Sequence, residues 1–198
     1  MELMTGFGLA TAAGLNAYIP LLAIGLLGRF TDLITLPQSW SWLENGWVIA
    51  IVAVLLAVEI VADKVPALDS VNDAVQTFVR PTAGGSVFGS GTAAQTAAVT
   101  DPGEFARTGH WVPIAIGVVT ALVVHLTKTT VRPVANVTTA GVAAPVLSTL
   151  EDITSAALVF IAILIPALVL VVMIALGWAA VSLWRRRRRR GAQRSPSG

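Results

Sequence analysis

The chain has 198 residues, of which 55% are hydrophobic and 12% charged, with a mean hydropathy of +0.77. A soluble domain carries about 25% charged residues, so too little polar surface is present to cover a water-soluble globule. Seven of the 13 basic residues (Arg185 to Arg190 and Arg194) fall in the last 14 positions, and the first 184 residues hold six basic against 11 acidic groups. The pI of about 9.7 therefore reflects a terminal run and not a basic face, which speaks against nucleic acid as a partner. Cysteine is absent, which excludes disulfides, thiolate metal ligands and thiol nucleophiles, and two histidines, His110 and His125, are too few for the usual zinc sets. No metal and no cofactor is expected.

In chain order, Thr5 to Gly28 is the first run long and apolar enough to cross about 30 Å of hydrocarbon, although Asn16 and Pro20 interrupt it. Glu2 in place of a basic leader argues for a retained helix and not a cleaved signal. Trp47 to Ala62 is a second span. Pro66 to Val79 reads as an amphipathic surface helix, with Leu68, Val71, Val75 and Phe78 on one face and Asp69, Asp73 and Gln76 on the other. Thr82 to Ala98 is a weaker segment rich in Gly, Ala, Ser and Thr, Trp111 to Leu126 a clear span, Val134 to Leu150 again weak, and Ile153 to Trp178 strongly apolar. The two weak segments either span or form re-entrant hairpins. If all six cross from a cytoplasmic N-terminus, Lys64, Arg80, Lys128, Arg132 and the tail arginines lie inside, as the positive-inside bias requires. The same topology puts Glu151 and Asp152 outside and all six Trp near water interfaces.

The chain also matches itself. Val79-Arg80-Pro81-Thr82-Ala83 pairs with Val131-Arg132-Pro133-Val134-Ala135, Thr11 to Ala17 resembles Thr138 to Ala144, and Trp47 to Lys64 aligns with Trp111 to Lys128 without a gap. Small residues allow close helix approach in lipid, so Gly84, Gly85, Gly89 and Gly91, and Ala140, Gly141, Ala143 and Ala144, suit a tightly packed centre. The expected fold is all-α: a polytopic membrane protein of about six spans, compatible with three tandem helical hairpins having small-residue helices at the centre. Residues 1–184 form one transmembrane domain. Residues 185–198 form a basic, disordered cytoplasmic tail.

Three stretches resemble a bacterial integral membrane family known as domain of unknown function 4126. They are Gly14 to Leu22; Glu59 through Asp63-Lys64-Val65-Pro66 to Asp69-Ser70-Val71 and Arg80-Pro81; and His125-Leu126-Thr127-Lys128, Arg132-Pro133, Asn136 and Pro145 to Glu151-Asp152. The resemblance implies a polytopic helical membrane protein and marks where function lies, without supplying an activity.

Ionisable groups inside membrane helices are costly and functional by default. Glu59, about 18 Å into its span, and His125, at similar depth in the matching span, suit a proton relay or ion path, with Asn16, Asn136 and Asp63 beside them. Arg80 and Arg132, each followed by proline at an expected helix start, suit binding of an anionic lipid headgroup together with Lys64 and Lys128. No phosphate-cradling loop, paired metal carboxylates or Ser-His-Asp set appears, so no enzymatic activity is expected. The sequence favours a small transporter or channel-like protein in the inner (plasma) membrane, with both termini cytoplasmic. The alternative is a non-transporting lipid-binding or scaffold module. Membrane lipids with anionic headgroups are the expected partners, and a homo-oligomer is compatible with the sequence.

Overall fold

The computed structural model describes residues 2–91, 109, 111–139, 142–169, 171–172, 174–175, 178 and 181–182, except the side chains of 2, 66–70 and 136. Among the described residues the regular structure is helical, with no strand. The helices are α1 (Glu2–Leu15), α2 (Tyr18–Phe30), a 3-10 helix (Gln38–Glu44), α3 (Gly46–Ala62), α4 (Pro66–Gly91), α5 (Trp111–Thr138) and α6 (Ala143–Leu164).

The first apolar run is two helices, because Asn16 diverts the backbone. The Asn16 amide nitrogen makes a helical bond to Ala12 O, while its side-chain oxygen accepts from the amides of Tyr18 and Ile19 at 3.0 and 3.2 Å. It thereby caps the start of α2, and Pro20 sits in the first turn, where its missing N–H costs nothing. Contacts fix the direction of the two arms. Phe7 packs edge-on against Phe88, and Gly6 lies beside Gly91. At the far end of α2, Gly25 abuts Leu43 O of the 3-10 helix, whose Trp40 lies on Gly89. Both ends of the run therefore meet one end of the bundle, and α1 and α2 form a hairpin with its tip at Asn16–Ala17.

The same sense repeats along the chain. Asn45 caps α3 by accepting from Trp47 N at 2.9 Å, and α3 runs from this Trp-rich end to Asp63 at the opposite end. There α4 begins and returns to Gly91. α5 runs back from Trp111, and after a turn α6 returns until Ala162 packs against Gly8 and accepts from Thr5 Oγ1 at 3.0 Å. The helices thus form three successive V-shaped pairs whose tips share one end. α1 is central, packed on α4, α5 and α6, while α2 and α3 pack together at the edge.

Close approach at the centre depends on the small residues. A Cβ on Gly84 would stand 2.3 Å from Ala121 Cβ, and one on Gly117 would stand 2.3 Å from Gly84 O, so α4 and α5 touch backbone to backbone. Leu9, Ala10, Ala12 and Ala13 of α1 are buried beside them. Outside, the exposed residues are apolar: Ile51, Val54 and Val58 on α3, Val71, Val75 and Phe78 on α4, Val119 and Val123 on α5. This is the reverse of a soluble protein and is compatible with a membrane setting.

Several expectations are corrected. Among the described residues two helices, over Trp111–Ala135 and Ala143–Leu164, are long and apolar enough to cross a membrane, so a count of six is not confirmed. A third is added if the 3-10 helix and α3, bent by 60°, count as one. Thr5 to Gly28 is not one continuous helix but two short ones that double back, so the N-terminal end of α1 lies at the Trp40 end of the bundle and not with Lys64 and Lys128. Val134 to Leu150 is no single helix: it breaks between α5 and α6 and doubles back, so that Glu151 returns to Arg132. Pro81 and Pro133 lie inside α4 and α5, so the Arg-Pro pairs are not helix starts. They also occupy non-equivalent places, Pro81 in the middle of its helix and Pro133 near the end, so the Arg-Pro match does not mark equivalent corners. On the 66–79 segment Gln76 of the polar face is buried and Asp73 half-buried, so these turn inward and not to water; the side chain of Asp69 lies outside those described. Residues 92–98 of the 82–98 segment, Ala140, Gly141, and the tail fall outside the described residues.

In a bilayer, single cysteines at Leu3 and Ser41 are expected to react with an impermeant maleimide from one side and Val137→Cys from the other. Leu3→Cys reacting together with Val137→Cys would sink the hairpin. Gly117→Ala, which forces the α4–α5 backbones apart, is expected to lower stability by about 1–3 kcal/mol, read as a lower Tm in detergent.

A buried ion network at the hairpin tips

Four helices deliver charges to the closed ends of the three pairs. α3 supplies Glu59 and, at its C-terminal boundary, Asp63; α4 supplies Arg80; α5 supplies Lys128 and Arg132; α6 supplies Glu151 and Asp152. Asp63 is the hub. Its Oδ2 lies 3.1 Å from Arg132 Nη2, 3.4 Å from Lys128 Nζ and 3.9 Å from Arg80 Nη2, while Asn72 Nδ2 donates to its Oδ1. Arg132 grips Glu151 sideways, Nε donating to Oε1 at 3.3 Å and Nη2 to Oε2, a forked pair that Lys could not reproduce. Lys128 reaches the same Glu151 oxygen at 2.9 Å. Arg80 Nη2 donates to Glu59 Oε1 at 2.8 Å.

The network also holds the α1–α2 tip. The last carbonyls of α1 lack helical donors, and the negative end of its dipole favours cations. Arg80 Nη1 donates to Gly14 O at 3.2 Å and Lys128 Nζ to Leu15 O at 3.3 Å. Asn16 Nδ2 donates to Asp152 Oδ1 at 2.9 Å, which sets an anion beside the start of α2. Lys64, whose side chain is 36% exposed, lies 3.9 Å from Asp152 Oδ2 and marks the water-facing end of the network.

His125 is joined to the network through Arg80. Because a guanidinium only donates, His125 Nδ1 accepts from Arg80 Nη1 at 3.4 Å, so the ring proton sits on Nε2 and is given to Thr77 Oγ1 at 3.0 Å. The Thr77 hydroxyl in turn donates to Asp73 O at 2.9 Å.

Of the residues singled out from sequence, Glu59, Asp63, Asn16, His125, Arg80, Arg132, Lys64 and Lys128 all come to this one place; the side chain of Asn136 lies outside those described. Arg80 and Arg132 converge on Asp63, so the anion they share in this structure is a carboxylate of the chain itself. Glu151 and Asp152, assigned by hydropathy to the opposite face, are central members. Asn72 and Thr77 were not singled out from sequence, where only Asp69, Asp73 and Gln76 were set on the polar face; the i, i+4 series Asn72, Gln76, Arg80, with Thr77 beside it, is the signal that could have found them. Among the described residues no three His, Asp or Glu are grouped to hold a metal ion.

The two acids outside the spanning helices have opposite electrostatics. Burial alone would raise the Asp63 carboxyl, but Lys128, Arg132, Arg80 and the Asn72 amide outweigh it and hold it below the ordinary carboxylate range. Asp73 is pushed up by burial, which the same cations only partly offset, and its Oδ1 has no partner.

Residues 3–186, nearly the whole chain, match the family described as Domain of unknown function (DUF4126). The chain belongs to that family. No curated protein matches, and no solved structure does. The family's function is unknown, and its apolar helices are compatible with a membrane protein. The ion network of this DUF4126 member is the guide to its chemistry.

Asp63→Asn leaves three cations around an uncharged amide and is expected to cost about 3–5 kcal/mol. The contribution of Asp63 is complete above the ordinary Asp value of about 3.9 and is lost as pH falls through its lower folded value. Asp73 has the opposite sign: its ionisation opposes folding above its raised value, so Asp73→Asn should hold or raise Tm at neutral pH. Thermal melts in detergent at several pH values measure both.

Proposed function

We propose that this protein is a small membrane transporter or channel-like protein whose polar path passes between the hairpin tips. One observation carries the reading: the α1–α2 backbone breaks at its hairpin tip, and the carbonyls and amides freed there are held by a largely buried ion network that runs out to Lys64. In lipid, irregular backbone is tolerated where it is buried in protein or lines a cavity. Broken helices whose half-helix ends turn to charged groups build the ion and substrate sites of secondary transporters. A purely structural role is poorly served by such a network, since apolar residues of similar volume stabilise as well or better. In this reading the protein is multi-pass in the inner membrane, with the Lys64 end cytoplasmic, and Glu59, His125, Asn16 and Asp63 belong to the path. It carries out no bond-making chemistry.

A second reading has a specific observation in its favour. The exposed Val71, Val75 and Phe78 stripe, with Lys64 at the same end, suits a module that holds anionic lipid or a membrane partner.

Proteoliposomes given separate Na⁺, K⁺, H⁺ and Cl⁻ gradients, with a voltage-sensitive dye, test the choice. Wild type is expected to dissipate at least one gradient above protein-free vesicles, and Glu59→Gln to slow it by about tenfold or more, the effect of losing one buried charge. No flux from wild type, or equal flux from the two, overturns the transport reading.

A further inference from the structure

Arg80 holds two different objects with its two terminal nitrogens. Nη2 donates to Glu59 Oε1 at 2.8 Å, while Nη1 donates to the hairpin carbonyl Gly14 O at 3.2 Å and to His125 Nδ1 at 3.4 Å. Both Arg80 and Glu59 are buried, at 0% and 2% exposure. The second Glu59 oxygen, Oε2, has no partner. The charged and titratable groups around Glu59 are Arg80 of α4, Asp63 one turn along α3, Lys128 of α5 and the Tyr18 hydroxyl of α2, with the neutral His125 ring beyond Arg80.

Burial falls off in one direction from this pair. Side chains at Asp63, Lys128 and Arg132 are 2–3% exposed, Glu151 and Asp152 16% and 18%, and Lys64 36%. A continuous polar seam thus connects Glu59 to the end of the bundle that carries Lys64, while apolar helix lies between Glu59 and the Trp-rich end.

We infer that Glu59 is a reversible proton site and that Arg80 transmits its state to the α1–α2 tip, so that the proton is the ion to which movement of the hairpin is coupled. The inference deepens the transport reading by naming the coupling ion, but the switch itself needs no transported solute. A hydronium entering from the Lys64 end gives its proton to Glu59 Oε2, forming an O–H bond and leaving water. The neutral carboxyl then loses its charge-assisted bond with Arg80. Arg80 cannot lose its own proton and requires an anion. Asp63 Oδ2, 3.9 Å from the same Nη2, is at hand. A shift of about 1 Å toward it restores hydrogen-bond distance and draws Nη1 away from Gly14 O. The tip is left on Lys128 and the Asn16–Asp152 bond. Release of the proton reverses each step.

The native chain has no cysteine, so Ala17→Cys, buried at the tip, reports its opening. The measurement is maleimide labelling in proteoliposomes, divided at each pH by that of exposed Ser41→Cys to remove the thiol's own titration. Between about pH 8 and pH 5 the ratio is expected to rise about tenfold, the effect of a one-unit linkage. In Glu59→Gln it should be high throughout, and in Asp152→Asn it should still depend on pH. A pH-independent ratio in Ala17→Cys alone overturns the inference. So does a dependence that survives Glu59→Gln but vanishes in Asp152→Asn, which would assign it to the Asn16–Asp152 bond. If Glu59→Gln fails to insert, Glu59→Asp decides: a displaced midpoint supports the inference and an unchanged one overturns it. Absence of flux together with a pH-dependent tip would remove the transport reading and leave the switch standing.

Discussion

One oxygen of Asp63 organises the molecule. Cations from α4 and α5 converge on it, and each of them holds something else: Arg80 the first hairpin and Glu59, Lys128 the first hairpin and Glu151, Arg132 the Glu151 carboxylate on α6, the returning arm of the third V-shaped pair. Buried charge is costly, and each of these groups is tolerable only with the others in place. The three pairs therefore cannot be positioned independently. Their tips are fixed to one another by electrostatics, while their other ends are fixed by close packing of Gly, Ala and Trp.

The two kinds of contact are matched to their surroundings. Between the tips and the Trp-rich end, association has no hydrophobic drive if the bundle lies in lipid, so contact area must come from close approach. Gly84 against Gly117 and Gly89 under the Trp40 ring supply it. At the tips, where backbone is broken, packing alone would leave carbonyls unsatisfied, and the long side chains of Arg and Lys reach them.

Much of this was legible in the sequence, for reasons that particular residues make clear. Trp47 to Ala62 became α3 almost residue for residue, and α5 begins at the expected Trp111, because continuous apolar runs with aromatic starts leave little choice. The central place of α1 and of the α4 glycines followed from residue size. Polar residues within apolar runs pointed to Glu59, Asp63, Arg80, His125, Lys128 and Arg132, and they do meet. What failed was the side of the molecule on which things lie. Hydropathy reads Glu151-Asp152 as a loop because it prices each charge as if in lipid; their partners Arg132 and Asn16 stand 19 and 136 positions away, and a local window contains no trace of them. The Arg-Pro pairs misled similarly. Proline forbids one hydrogen bond, which a buried helix can forgo, and α4 and α5 pass through.

The first hairpin has a consequence for the order of events on the ribosome. Its tip is made well before what holds it: the donors for Gly14 O and Leu15 O follow 66 and 113 residues later, and the acceptor for Asn16 Nδ2 136 residues later. Until Asp152 has been synthesised, Arg80 and Lys128 can hold the tip carbonyls but the Asn16 side chain lacks its acceptor. The hairpin is therefore closed only by residues made long after it.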